Sequence, residues 1–147
     1  MASSATKKRT RRPHTGTYRS ACPLATALDL VGDKWSLVVV RDMVARKGKY
    51  QEFLNSPERI PTNILADRLK SLECQRIIRR RRYQTNPVRY EYILTRKGAE
   101  LLPVLQQLAI WARKHVPGLW APPQWFFEAT PDDLLEPRPK APTGKRD

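Results

Sequence analysis

The stretch from Ile60 to Glu73 has the period of an amphipathic helix, and it constrains the fold more than any other segment. Leu65, Leu69 and Leu72 recur at helical spacing and therefore lie on one face. Thr62 follows a proline, so we expect its side-chain oxygen to cap the first turn. The leucine face predicts a helix that packs on the rest of the domain.

The opposite face of this helix carries short or hydrogen-bonding side chains: Asn63, Ala66, Asp67, Lys70 and Ser71. A helix with one packed stripe and one compact polar face can enter the DNA major groove and present side chains to base edges. Many surface helices of ordinary soluble proteins have a similar polar face. The interpretation therefore depends on the surrounding sequence.

The charge of the chain predicts an anionic partner. Lys and Arg number 28 against 14 Asp and Glu, which gives a net charge of +14 over 147 residues, a length sufficient for one domain with a core. Nucleic acid is the leading candidate and an anionic membrane surface is the other. We expect neither a membrane-spanning helix nor a secretory signal, because no suitable apolar run is present.

Two cysteines, Cys22 and Cys74, form neither a disulfide framework nor a zinc site, which favours a cytoplasmic, nucleoid-associated protein.

Composition divides the chain into three regions. Residues 1–20 are basic with no acidic residue, which predicts a disordered arm that either binds phosphates or is simply solvated. Residues 21–117 have the periodicity of a folded domain. Residues 118–147 form a tail rich in proline and aromatic residues, which we expect to be partly disordered.

Four helices are predicted before the chain becomes extended. Cys22 should cap the first helix, because Pro23 suits the first helical position, and Gly32 should end it. Asp33 should cap a second helix over residues 35–46, with Gly48 as its stop. A short helix over residues 50–54 and a turn then lead to the helix described above. Two short helices joined by a turn match the helix-turn-helix pattern.

After Glu73 the period changes to that of β-strands. A run from Ile77 to Arg82, a turn over residues 84–87 and an alternating run from Val88 to Leu94 predict a basic β-hairpin. Thr95 should cap a last helix, in which a proline at 103 either kinks the helix or marks the start of its straight part. The apolar face of this helix is broader than one neighbour needs, so we expect a second surface, such as another subunit, to cover part of it. The predicted fold is mainly α with a small β-hairpin, which is α+β.

A series of short motifs runs from Cys22 to Trp111. In order they are Cys22-Pro23, Ala27-Leu28-Asp29-Leu30-Val31-Gly32-Asp33-Lys34-Trp35, Leu65, Arg68-Leu69, Leu72-Glu73, Pro87, Tyr90-Glu91-Tyr92, Leu94-Thr95, Lys97-Gly98 and Leu101-Leu102-Pro103-Val104-Leu105. Together they resemble the pattern of HxlR-type bacterial transcriptional regulators. The resemblance implies a winged helix-turn-helix domain that binds double-stranded operator DNA as a homodimer, with the hairpin as the wing.

The same resemblance implies dimerisation through the first and last helices. The expected interface residues are Leu24, Leu28, Leu105, Leu108 and Trp111. The chain departs from the family pattern after the presumed recognition helix, where a glycine is replaced. We therefore expect Arg76 to adopt whatever backbone the helix end demands, including a left-handed one. The four-arginine run and the aromatic tail also depart from the pattern.

The candidate DNA-binding residues come from the helix, the hairpin and the start of the short helix. They are Thr62, Asn63, Ala66, Asp67, Arg68, Lys70, Lys49, Tyr50, Arg81, Arg82 and Arg89. Asn suits adenine and Lys suits guanine, so Asn63 and Lys70 are the preferred base contacts. Asp67 either accepts from a cytosine or holds Arg68 or Lys70. Because side chains alternate along a strand, at most two arginines of 79–82 point the same way, and the others are solvated or paired, for example with Glu91.

Cys22 is a candidate redox sensor. A thiol at a helix N-terminus lies at the positive end of the dipole, with Arg19 close in sequence, and both favour the thiolate. The alternative is an inert thiol.

No enzyme is predicted, because His14 and His115 have no nucleophile or metal-ligand cluster beside them, and we expect no cofactor or metal. The alternative function is a nucleoid or RNA-associated protein that binds without sequence specificity.

Overall fold

The structure, a computed structural model, describes residues 18–135. The helices are α1 Pro23–Val31, α2 Ser36–Val44, α3 Tyr50–Leu54, α4 Thr62–Cys74, α5 Arg96–Ala99, α6 Leu102–His115, α7 Gln124–Glu128 and α8 Pro131–Leu135, and the strands are β1 Ile78–Thr85 and β2 Val88–Leu94. Two predictions of disorder, for the arm up to residue 17 and for the end of the tail from residue 136, lie outside the described residues. The mixed helical fold with one hairpin is confirmed.

The chain divides into two compact units after Gly32, and α1 belongs to the first. As predicted, Cys22 occupies the position before the helix and Pro23 is its first residue, while Gly32 follows its last turn. Leu24 and Leu28 on α1 are 68% and 53% exposed. The first unit therefore presents an apolar helix face to solvent.

The second unit, from Asp33 onward, has a core built from α2, α3, α4, α5, α6 and the base of the hairpin. These elements bury one face each, since their apolar residues recur at helical or strand spacing. The buried apolar residues are Val39, Val40, Met43, Val44, Phe53, Ile60, Leu65, Leu69, Leu72, Ile77, Ile78, Leu94, Ala99, Leu102, Leu105 and Phe126. The three leucines predicted for one face of α4 are all in this core.

The start of α2 follows the prediction and its end does not. Asp33 caps the helix, because its Oδ2 accepts hydrogen bonds from the amides of Trp35 and Ser36, both at 3.0 Å. The helix stops at Val44, and Arg46 supplies the left-handed residue with φ of 67°. Gly48 was predicted as the stop, and this is wrong. It lies instead against β2, where its carbonyl accepts from the amide of Tyr92 at 2.8 Å and an added Cβ would lie 2.7 Å from the Tyr92 oxygen.

Helix α4 also departs from the prediction at its start. Thr62 is the first helical residue, Pro61 holds the capping position, and no side chain caps the helix. The prediction that the Thr62 side chain caps α4 is therefore wrong, because the capping position lies one residue earlier. At the other end, Arg76 has a φ of 58°, as the missing glycine predicted. The amide of Ile77 donates to the Leu72 carbonyl at 3.0 Å, which closes a Schellman motif.

The hairpin pairs β1 with β2 in antiparallel register, with Arg80 opposite Tyr92 and Arg81 opposite Glu91. An irregularity at Tyr83 shifts the register, so β1 continues to Thr85 and the turn is shorter than the predicted one. Alternate arginines therefore point to opposite faces, as predicted.

The predicted last helix is two helices, α5 and α6. Thr95 caps the short α5, where its Oγ1 accepts from the Gly98 amide at 3.2 Å and donates to the Ile77 carbonyl at 2.9 Å. Pro103 lies in the first turn of α6, so it marks a helix start and not a kink. Gly98 is required here, because an added Cβ would lie 2.1 Å from the Ile77 oxygen.

Residues 119–135, which we call the C-terminal extension, carry α7 and α8. They pack on the rest of the second unit. Phe126 is buried, and the Gln106 side-chain amide donates to the carbonyls of Phe126 at 2.8 Å and Ala129 at 3.0 Å. Arg46 donates to the carbonyls of Asp133 at 2.5 Å and Leu134 at 3.1 Å. The sequence showed no period here, because each helix has only one turn.

Candidate nucleic-acid interface

The outer face of α4 is open to solvent along its whole length. Thr62, Asn63, Ala66, Asp67 and Lys70 are all exposed, whereas the leucines of the same helix are buried. The side chains on this face are short or flexible hydrogen-bonding groups, of the kinds that recognise base edges in a major groove. This face holds five of the predicted DNA-binding residues together.

The short helix α3 and the turn after it hold α4 in position. The hydroxyl of Tyr50 donates to the carbonyl of Thr62 at 2.8 Å, which joins the first turns of the two helices. Tyr50 was predicted as a phosphate clamp, and it remains exposed. Its observed contact positions the start of α4.

A charged cluster that the sequence analysis missed joins α2 to the turn before α4. Asp42 is buried and accepts from Arg41 at 2.8 Å and from the hydroxyl of Ser56. Arg41 also pairs with Glu58 at 2.5 Å, and Lys47 donates to the Ser56 hydroxyl at 3.0 Å. The only signal in the sequence was an acidic residue within an apolar helix. The cluster ties the turn before α4 to α2.

The pKa values of this region follow from these contacts. The hydrogen bonds from Arg41 lower the pKa of Glu58 to about 2, and those same bonds raise the pKa of Arg41. Partial burial alone would raise the pKa of Asp33. Hydrogen bonds from the Ser36 hydroxyl and from the amides of Trp35 and Ser36, with the charge of Arg68, lower it instead.

Arg68 was predicted to contact DNA, and its guanidinium lies between two carboxylates. It pairs with Asp67 on the same helix and with Asp33 at 3.4 Å. The hydrogen bond to Asp67 raises the pKa of Arg68. Of the two roles that the sequence left open for Asp67, the structure shows the pairing with Arg68. Arg68 thus links the recognition helix to the cap of α2.

The arginines of β1 divide into paired and unpaired side chains. Arg80 pairs with Glu73 of α4 at 3.0 Å and lies 5.7 Å from the ring centre of Tyr90. Arg81, which was predicted to contact DNA, pairs with Glu91 at 2.7 Å, the partner expected for an arginine of this run that does not reach DNA. The guanidinium groups of Arg79 and Arg82 have no hydrogen-bond or ion-pair partner among residues 18–135.

The remaining predicted contacts lie on the hairpin and beside it. Arg89 and Arg82 are exposed near the tip. Lys49 precedes α3, and its Nζ lies 4.7 Å from the ring centre of Tyr83 on the hairpin. Tyr83 was not among the predicted DNA-binding residues, because its exposed position depends on the register shift. The wing therefore adds cationic groups beside α4.

Two kinds of feature are absent from residues 18–135. No group of three or more potential metal ligands occurs there. No helix within that range is long and apolar enough to cross a membrane.

Two short helices joined by a turn, an exposed second helix and a basic hairpin beside it define a winged helix-turn-helix protein. The HxlR-like helix-turn-helix family profile matches residues 30–118, which is more than half of the chain, and the chain belongs to this family. It is therefore a DNA-binding transcriptional regulator and not an enzyme, as its relatives are regulators.

Three relatives illustrate the similarity. The chain is 32% identical over 94 residues to the HTH-type transcriptional regulator YdeP of Bacillus subtilis, an alignment that covers 64% of this chain and 73% of YdeP. The reduced form of YodB from B. subtilis superposes with a TM-score of 0.57 at 30% identity and covers 68% of this chain and 100% of that one. The oxidised form of the redox regulator HypR has a TM-score of 0.60 at 30% identity, and the alignment covers 66% of this chain and 100% of the HypR chain.

Proposed function

We propose that the protein is a sequence-specific regulator that binds an inverted-repeat operator as a homodimer, in the cytoplasm and on nucleoid DNA. The observation that carries this proposal is the exposed polar face of α4 beside a basic wing. In the bound state Asn63 and Lys70 contact bases, Thr62 contacts a base or a phosphate, and Arg82, Arg89 and Lys49 contact phosphates. The net charge of +14 supplies the attraction to the DNA backbone.

The proposed dimer uses apolar side chains that the single chain leaves exposed. On α6, Leu108 and Trp111 are 49% and 63% exposed. Leu24 and Leu28 on α1 are likewise open. Leu105, which we expected at the interface, is only 8% exposed and belongs to the core of its own subunit. Large apolar side chains that a single chain leaves exposed are typical of subunit interfaces.

Selection from a random duplex library tests the DNA-binding proposal. We expect an inverted repeat whose half-sites lie about one helical turn apart, because a two-fold axis relates the two recognition helices. The selected duplex and a scrambled one are then titrated at increasing salt. A regulator retains a large affinity ratio as the salt rises. Equal affinities at every salt concentration would indicate the alternative, a nucleic-acid-binding protein without sequence specificity.

Light scattering tests the dimer. Trp111→Glu places a charge in the proposed interface and should convert a dimer to a monomer at micromolar concentration. The matched control is Trp125→Glu on α7, where the tryptophan is also half-exposed but lies outside the proposed interface. A wild-type monomer, or a Trp111→Glu protein that remains a dimer, would contradict the proposal.

We also propose that Cys22 makes DNA binding responsive to thiol oxidation. The thiol is exposed at the N-terminus of α1, beside an open depression lined by Arg19, Leu24 and Leu28. The guanidinium of Arg19 pairs with Asp29 at 2.7 Å, so its charge is already matched by a carboxylate of α1. HypR, to which the chain is similar, is a redox regulator. Cys74 is exposed too and serves as the internal comparison.

A further inference from the structure

A cleft of about 440 Å³ opens between the base of the wing, the turn from α2 to α3, and α8. Its volume lies within the range of small-molecule sites, which is about 300–1,000 Å³. Part of its wall is the C-terminal extension, which follows the last residue matched by the family profile. The cleft is therefore not defined by the family-matched segment alone.

The lining of the cleft is basic. Five cationic side chains line it, and they are Arg46, Lys47, Lys49, Arg79 and Arg81. Only two acidic side chains, Glu52 and Glu91, line it as well. The side-chain charge of the lining is thus strongly positive, which favours an anionic ligand.

The two acids are already engaged. Glu91 pairs with Arg81 at 2.7 Å. Glu52 accepts from the amides of Gly48 at 2.8 Å and Lys49 at 2.9 Å. Arg79 has no side-chain partner within the described part of the chain, so its guanidinium can bind a carboxylate through two parallel hydrogen bonds.

The lining of the cleft also contains apolar side chains. Leu134 and Leu135 of α8 face the cleft together with Met43, Ile93 and Leu94. Two hydrogen bonds from Arg46 to the carbonyls at the end of α8 fix this wall against the domain. A ligand here has one end for cationic groups and an apolar body for the leucines.

We propose that this cleft binds a small carboxylate with an apolar body, such as an aromatic acid. Arg79 and Lys49 bind the carboxylate, and the leucines of α8 cover the apolar body. Binding to the free protein requires neither DNA nor a dimer. A failure of this proposal is therefore separable from a failure of the proposed function.

The probe is benzoate, titrated into the full-length protein without DNA and followed by NMR, which detects weak binding. Saturable shifts are expected for backbone amides of the turn at 46–49, the base of the hairpin and α8. Benzamide, which has the same shape without the charge, and inorganic phosphate, which has charge without the apolar body, should each bind at least about tenfold more weakly. Equal binding of either one would overturn the proposal.

The variant Arg79→Gln should weaken benzoate by at least about tenfold, as expected for the loss of a charged hydrogen-bond partner. Its matched control is Arg82→Gln on the same strand, since Arg82 is equally unpaired among the described residues but does not line the cleft. Both side chains are exposed, so both variants should fold. No saturable shift in the wild type, or equal weakening by both variants, would show that the cleft is not the site.

Discussion

Arg76 ends α4 in a backbone conformation that glycine adopts more easily. Its φ is 58°, and a side chain in this region costs about 1–2 kcal/mol for most residues. We expect Arg76→Gly to raise the free energy of unfolding by about 0.5–1 kcal/mol in urea titrations, less than the full cost because glycine also gains freedom when unfolded. Arg76→Ala is the control. It keeps the Cβ, so an equal gain from alanine would mean that the backbone is not strained.

Glu58 makes stability depend on pH in the acid range. Its pKa falls from an ordinary value of 4.5 to about 2 because it accepts hydrogen bonds from Arg41. A carboxyl with a lowered pKa stabilises the fold above its unfolded pKa. This contribution is lost as the pH drops from about 4.5 through about 2.

The measurement compares the free energy of unfolding of the wild type and Glu58→Gln from pH 7 to pH 2. The wild type should be more stable at pH 7 by less than about 1 kcal/mol, since the pair is partly exposed to solvent. The difference should vanish near pH 2. A difference that stays constant over the whole range would mean that the carboxylate is not the cause.

Predictions for single residues were correct where the residue type serves only one purpose in the backbone. The missing glycine predicted the left-handed Arg76, and Asp33 caps α2 as expected. The Gly48 prediction failed because glycine serves two purposes, helix ends and close backbone contacts, and only the position of β2 distinguishes them. The hydrogen-bonding and ion-pair partners of the buried Asp42 come from α2, from Lys47 and from the turn before α4, so no local pattern could reveal the cluster.

The elements α4 and the wing should contribute to DNA binding in different ways. Asn63→Ala and Lys70→Ala remove groups from the exposed face of α4 and should each cost about 1–3 kcal/mol on the operator and little on random DNA. Arg82→Ala should weaken both duplexes about equally and lower the salt slope by about 0.9, as for one phosphate contact. Fluorescence anisotropy on both duplexes at several salt concentrations measures these effects.

Arg81→Ala is the matched control for the wing, because the charge of Arg81 is already paired with Glu91. It should change the salt slope less than Arg82→Ala. If the helix variants weakened random DNA as much as the operator, the outer face of α4 would not be the surface that recognises bases.

Elements that extend over several repeats of their period were predictable from the sequence, and among the helices of five residues or fewer only α3 was. The hairpin and α4 extend over several repeats of their period, and their bounds differ from expectation by only a few residues. The α5 helix has four residues and merged with α6 in the prediction. The helices α7 and α8 are held by side chains distant in sequence, Gln106, Arg46 and Arg96, which no local pattern connects to them.

For the whole molecule, oxidation at Cys22 should change how the two recognition helices of the proposed dimer fit the operator. Both helices must enter successive major grooves together, so a small change at an interface near α1 is enough to weaken binding. We expect a thiol oxidant to shift the operator affinity of the wild type at least tenfold, which is about 1.4 kcal/mol. Cys22→Ser should bind normally and ignore the oxidant, while Cys74→Ser, which removes the other exposed thiol, should still respond. A wild type indifferent to the oxidant, or a Cys22→Ser protein that responds as strongly, would mean that Cys22 serves only as the first residue before α1.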